Sequence, residues 1–256
     1  MKTTFFRLGC LALFLFSGSL SLQAQYSFVQ IQKSSSRVNT AFESKEDMLK
    51  KEFADKGLIW PAKYVYIRSF KYDAQLEVWV KNNVKDKYKL FKTYKVCMQS
   101  GTMGPKRIQG DYQVPEGFYY ITEFNPRSQY HLSLGLNYPN PSDKILSDPQ
   151  RPGDGIFIHG SCVSEGCVPV SDNDIEEIYI IATYARNAGQ EYIPVHIFPI
   201  RYNNKKSEDY LENFLSDNPS LTAFSDQLQK AYNEFETTHQ VPLILIDKKG
   251  DYVVGN

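Results

Sequence analysis

The chain has 256 residues, of which 18 are tyrosine and 16 phenylalanine, so it holds enough apolar material for a real core in one mid-sized domain with extensions or two small ones. Its 29 basic and 29 acidic residues balance, which argues against a nucleic-acid partner and gives no reason to expect binding to anionic membranes. The start reads as an export signal. Lys2 and Arg7 give a positive end, Leu8 to Phe16 form an apolar core, and Leu22-Gln23-Ala24 offers a small-residue cleavage site. The apolar run is shorter than the roughly 20 residues a membrane helix needs, so after cleavage of residues 1–24 no stable membrane insertion is expected. Cys10 sits at the start of the apolar core instead of following it, which argues against lipidation. Cleavage leaves Cys97, Cys162 and Cys167, an odd number that implies an unpaired thiol or an intermolecular bridge.

Residues 25–60 read as a polar, Ser-rich linker to about Thr40, then an amphipathic helix with Phe42, Met48, Leu49 and Phe53, closed by Gly57 and Pro61. The period then changes to two. Strands are expected at residues 64–70, 76–81 and 88–98, the last with Cys97 as a structural residue. Gly101-Thr102-Met103-Gly104-Pro105-Lys106 lacks the Gly-Lys-Ser/Thr ending of a phosphate loop and reads as a loop near a cleft. Further strands are expected at residues 118–121 and 131–134. The Pro-, Asn- and Gly-rich stretch 137–155 reads as a long loop, with Tyr138 and Arg151 available to a carboxylated peptide. A helix over 171–187, capped by Ser171 or Asp172, and a strand over 192–200 with a structural His196 complete a β-rich region, 61–201. Residues 202–256 read as a helical extension broken near Asn218-Pro219, ending in a β-hairpin.

Chemistry concentrates in Ile156-Phe157-Ile158-His159-Gly160-Ser161-Cys162-Val163-Ser164-Glu165-Gly166-Cys167-Val168-Pro169-Val170. A thiol is a strong nucleophile once deprotonated, and an imidazole can take its proton, so Cys167 and His159 form a candidate catalytic pair. Gly166 permits a sharp bend before the sulfur, aiming backbone amides at one place as an oxyanion hole requires. Ser164 is placed to orient the imidazole or line the pocket. Other readings of the same residues are a buried apolar cysteine, a Cys162–Cys167 disulfide, or a zinc site, although the last lacks a second ligand pair. No metal or other cofactor is therefore expected.

His159-Gly160 followed by Ser164-x-Gly166-Cys167, after an Ile-Phe-Ile strand, resembles the active-site signature of the L,D-transpeptidase catalytic domain (YkuD-type) family. The likeness extends upstream through Gly104-Pro105-Lys106, Gly110-Asp111, Pro115-Glu116-Gly117-Phe118-Tyr119, Asn125-Pro126, His131-Leu132-Ser133-Leu134 and Asn137-Tyr138-Pro139-Asn140, and covers about residues 64–201. The His-to-Ser spacing is shorter than usual, and Pro169 stands where an Arg is common. Both departures are similar to a divergent, YafK-like branch with the pattern His-Gly-x-Cys-x-Ser-x-Gly-Cys.

The resemblance implies a β-rich α+β fold, a sandwich or open barrel with flanking helices. It implies a periplasmic or secreted cysteine acyltransferase that forms or remodels peptidoglycan cross-links through a thioester on Cys167, in cell-wall organisation and cell shape. Its partners would be stem peptides or a wall-linked protein, with His131, Tyr138 and Gly160 at the substrate. The alternatives are an amidase or carboxypeptidase of the same chemistry, cutting stem-peptide or protein–peptidoglycan linkages, and a non-catalytic wall-binding module.

Overall fold

The computed structural model describes residues 26–255, so the export signal and Cys10 lie outside the described residues. Two helices come first, α1 (Phe28–Lys33) and α2 (Ser36–Asp55). The Ser-rich stretch expected to be a linker is thus largely helical. Ser27 and Gln30 exchange side-chain and backbone hydrogen bonds in a capping box, and Val38 and Ala41 extend the buried stripe of Phe42, Leu49 and Phe53 toward the N-terminus.

Three strands follow as a meander, β1 (Tyr64–Phe70), β2 (Gln75–Lys81) and β3 (Lys89–Lys95), then β4 (Gly117–Asn125) and β5 (Ser133–Leu136). The stretch 137–155, expected to be all loop, contains a one-and-a-half-turn helix, α3 (Pro141–Leu146). Asn140 caps it in a reciprocal exchange with Asp143, and Pro141 occupies a first-turn position where its missing N–H costs nothing. After it come β6 (Phe157–His159), β7 (Val168–Pro169), α4 (Asp172–Asn187), β8 (Ile193–Phe198), α5 (Lys205–Asp217), α6 (Thr222–Thr238) and the hairpin strands β9 (Ile244–Ile246) and β10 (Tyr252–Val254).

The first eight strands form one mixed sheet in the order β3-β2-β1-β8-β4-β5-β6-β7. Only β1–β8 and β6–β7 are parallel pairs. The fold is the β-rich α+β class that the pattern of elements implied. On one face, α1, α2 and α4 cover a core that includes Val65, Ile67, Ile158 and Ile178. On the other, Phe70, Phe118 and Phe198 pack against Leu228 and Tyr232 of α6 and Tyr252 of the hairpin. The C-terminal extension therefore covers the second face of the sheet. Because both faces are covered, alternate residues of β1 and β2 that would otherwise meet water are enclosed, Arg68 and Glu77 among them. His196 of β8 is buried and its Nδ1 lies 2.8 Å from the Tyr66 hydroxyl, the structural role expected of it.

Candidate active site

The parallel pairing of β6 with β7 joins the two ends of the motif, setting Ile158 opposite Val168 and His159 opposite Pro169. Side chains alternate along β6. Ile158 enters the core, while Phe157 and His159 face a cleft of about 880 Å³ that also receives Cys167, Ser164, Lys106 and Tyr130. His159 is almost wholly buried, and its Nδ1 is hydrogen-bonded to the Gly160 carbonyl. A carbonyl only accepts, so Nδ1 carries the hydrogen and Nε2 is left as the acceptor. Burial lowers the imidazole pKa, opposed in part by the Gly160 carbonyl. The Tyr130 ring lies 4.7 Å from the imidazole, centroid to centroid.

Cys167 is a free thiol. Its sulfur lies 3.4 Å from the Phe157 N–H, which donates to it, and 3.5 Å from the Gly155 carbonyl. Burial raises the thiol pKa, while the Phe157 N–H and the charge of Lys106 pull it down. Thiol and imidazole share the cleft but are not joined by a hydrogen bond, a looseness common before substrate closes such a site. Both groups are thus poised neutral, the imidazole able to accept and the thiol able to give a proton.

Ser164 makes no hydrogen bond to the imidazole. Its hydroxyl donates to the Cys167 carbonyl at 2.8 Å and accepts the Gly166 N–H at 3.1 Å, so it braces the turn. The Gly166 amide, expected in the oxyanion hole, is thereby occupied. Gly166 has φ +127°, and a β-carbon there would lie 3.1 Å from the Gln113 carbonyl. The turn is also tied from outside. Cys162 forms a disulfide with Cys97, Cys97 N–H donates to the Pro169 carbonyl at 3.0 Å, and Ser100 Oγ meets Ser164 Oγ at 3.1 Å. The cysteine pair is thus Cys97–Cys162, not Cys162–Cys167, and Cys97 lies just beyond the end of β3 instead of within it.

None of the three residues expected at the substrate is among those lining the cleft. His131 is bonded through Nε2 to Glu176 at 2.8 Å. Tyr138 is buried and donates to the Pro152 carbonyl at 2.8 Å. Gly160 lets three elements meet, since a β-carbon there would come within 2.5 Å of Asp172 Oδ1 and 3.0 Å of the Tyr130 carbonyl. Arg151 is exposed and also lies outside the cleft lining. Sequence reasoning missed Tyr130, one position from His131, whereas Lys106 falls in the loop expected near the cleft. Among the described residues no group of three or more His, Cys, Asp or Glu side chains is placed to hold a metal ion.

Residues 70–197 match the L,D-transpeptidase catalytic domain (YkuD). Over 193 residues the chain is 34% identical to "Putative L,D-transpeptidase YafK" of Escherichia coli K12, covering 75% of this chain and 74% of that protein. The chain belongs to the L,D-transpeptidase catalytic domain family. Among solved structures, the helical cell shape determining protein Pgp2 of Campylobacter jejuni aligns at 20% identity over 78% of this chain and 80% of its own, with a TM-score of 0.43. Bd1075 of Bdellovibrio bacteriovorus aligns at 20% identity over 73% and 78%, with a TM-score of 0.40. Within the family's motif Pro169, the position where an Arg is common, is buried in β7, and its carbonyl is held by the Cys97 amide. That position offers no cation to the cleft.

Proposed function

We propose that the protein is a cell-envelope cysteine acyltransferase, periplasmic or secreted, that forms or remodels peptidoglycan cross-links by L,D-transpeptidation. Family membership supports the reaction class and the stem-peptide substrate. The observation that carries the reading to named residues is the free thiol of Cys167 facing the same cleft as an imidazole whose Nδ1 donates to the Gly160 carbonyl, which leaves Nε2 as the acceptor.

In this reading His159 Nε2 takes the thiol proton as the sulfur attacks the carbonyl of the diamino acid at the third stem position. The developing oxyanion is held by backbone N–H donors of the turn entering Cys167, a turn that Gly166 permits and Ser164 braces. Collapse breaks the amide bond, and the imidazolium returns its proton to the departing amine of the terminal D-alanine. A thioester on Cys167 remains. An amine from a second stem, or the amine of a wall-linked protein, resolves it into a new amide, while water resolves it into a shortened peptide.

Intact mass of wild type and Cys167→Ala after incubation with tetrapeptide muropeptide tests this. The expected outcome is an acyl adduct on wild type alone, with dimers lacking one D-alanine. An adduct accompanied only by trimmed peptide would make the protein a hydrolase of the same chemistry. Equal product from both proteins would remove Cys167 from the reaction.

A further inference from the structure

The cleft contains two cationic side chains, and only one of them is neutralised. Lys106 is nearly buried and its ammonium is held by Asp111 and by the Ile108 carbonyl at 3.0 Å. Arg127 is exposed to solvent and lines the same cleft, and among the described residues its guanidinium has neither a carboxylate nor a carbonyl partner. Arg151 is likewise without a side-chain partner among the described residues but lies outside the cleft lining, and the remaining described arginines are committed. Arg68 and Arg201 share Glu77, Arg107 pairs with Asp143, Arg37 holds the Ser128 and His131 carbonyls, and Arg186 holds the Glu191 carbonyl. An uncommitted guanidinium in a concave site is a receptor for a planar anion, which it can hold through two parallel hydrogen bonds.

The backbone that carries Arg127 is fixed in advance. Its N–H donates to Asn125 Oδ1 at 3.0 Å, the next carbonyl, of Ser128, accepts from Arg37 at 2.8 Å, and Tyr130 N–H donates to Ser128 Oγ at 3.0 Å. The same short connection between β4 and β5 presents Tyr130 to the His159 ring, so Arg127 is carried by the segment that borders the imidazole's side of the cleft. That side is where a leaving amine must lie, because the imidazole that deprotonates the thiol is the group that reprotonates the amine.

We infer that Arg127 binds the free α-carboxylate of the departing residue, so that the protein selects donors whose leaving amino acid carries an unblocked carboxylate. The inference rests on the acyl transfer proposed above and names the feature of the substrate read at that site. It also supplies a cation to a cleft that receives none from the Pro169 position.

The test crosses enzyme with substrate. Wild type, Arg127→Ala and Arg127→Lys are given a tetrapeptide stem and the same peptide amidated at its C-terminus, with kcat/KM and thioester formation measured for each. Losing a charge-assisted pair lowers kcat/KM of Arg127→Ala on the free acid about 10- to 100-fold. On the amide, Arg127→Ala matches wild type, and Arg127→Lys falls between the two on the acid because it keeps the charge without the fork. Equal losses on acid and amide, or a wild type that does not distinguish them, would overturn the assignment while leaving the acyl transfer standing. A wild type that forms no thioester with either peptide would remove the acyl-transfer reading, and this assignment with it.

Discussion

Cys167 and His159 sit in surroundings that push both toward the neutral form, burial raising the thiol and lowering the imidazole. A preformed thiolate–imidazolium pair would have the opposite shifts. Thiolate should therefore form only above the ordinary thiol range, and the rate of Cys167 alkylation by iodoacetamide should climb through pH 8 without levelling off. A plateau reached near neutrality would reveal an ion pair and contradict the neutral resting state. His159→Ala should leave this alkylation profile nearly unchanged, while lowering kcat for stem-peptide turnover about 10²- to 10⁴-fold, the worth of a positioned general base.

At the level of elements, the turn from β6 to β7 has little regular structure of its own and is held by the segment that follows β3. The Cys97–Cys162 disulfide spans 65 residues, a loop for which chain-entropy arguments give about 4 kcal/mol. Cys97→Ala/Cys162→Ala should unfold at lower urea and lose kcat through slack in the turn, yet keep Cys167 available to a small alkylating agent. Unchanged kcat under conditions where the variant is fully folded would show that the Ser100, Ser164 and Pro169 contacts suffice. This tie was not readable in the sequence, because nothing local marks Cys97 as the partner of a cysteine across the sheet. What was readable had a local cause. The alternation in β1 and β2, the Ser171 cap of α4 and the turn between β9 and β10 each fix their element within a few residues. The motif likewise joins His159 and Cys167 through one short turn. The structure departs from the sequence pattern where one position decides direction. His131 has φ +66° and stands before β5, so its side chain turns to Glu176 and the neighbouring Tyr130 faces the cleft. The Val38 end of α2 was hidden by serines that cap and start helices as readily as they fill linkers.

For the whole molecule, the sheet is a middle layer, and the polar groups enclosed within it tie the covering layers together. Arg68, about 1% exposed, is bonded by Glu77 on β2 and by Glu236 on α6, while Glu77 also takes the Trp79 indole N–H and Arg201 beyond β8. Burial alone would raise the Glu77 carboxyl, but Arg68, Trp79 and Arg201 outweigh it and hold the pKa below its usual value. Glu77→Leu removes the carboxylate and leaves the Arg68 guanidinium buried with one partner, a change expected to cost about 3–5 kcal/mol. Arg68→Met/Glu77→Leu, which buries an apolar pair instead, should recover most of that loss, because no under-compensated guanidinium is left in the core and the cost of desolvating both charges is removed with them. The sign of the pH dependence separates this from a packing defect. A carboxylate with a depressed folded pKa stabilises above its unfolded pKa, and that contribution is lost as pH falls through the folded value. The gap between wild type and Glu77→Leu in urea unfolding should therefore be widest near neutrality and narrow as pH falls below the ordinary carboxylate range. A gap that stays constant with pH would assign the loss to packing around Trp79 instead of to charge.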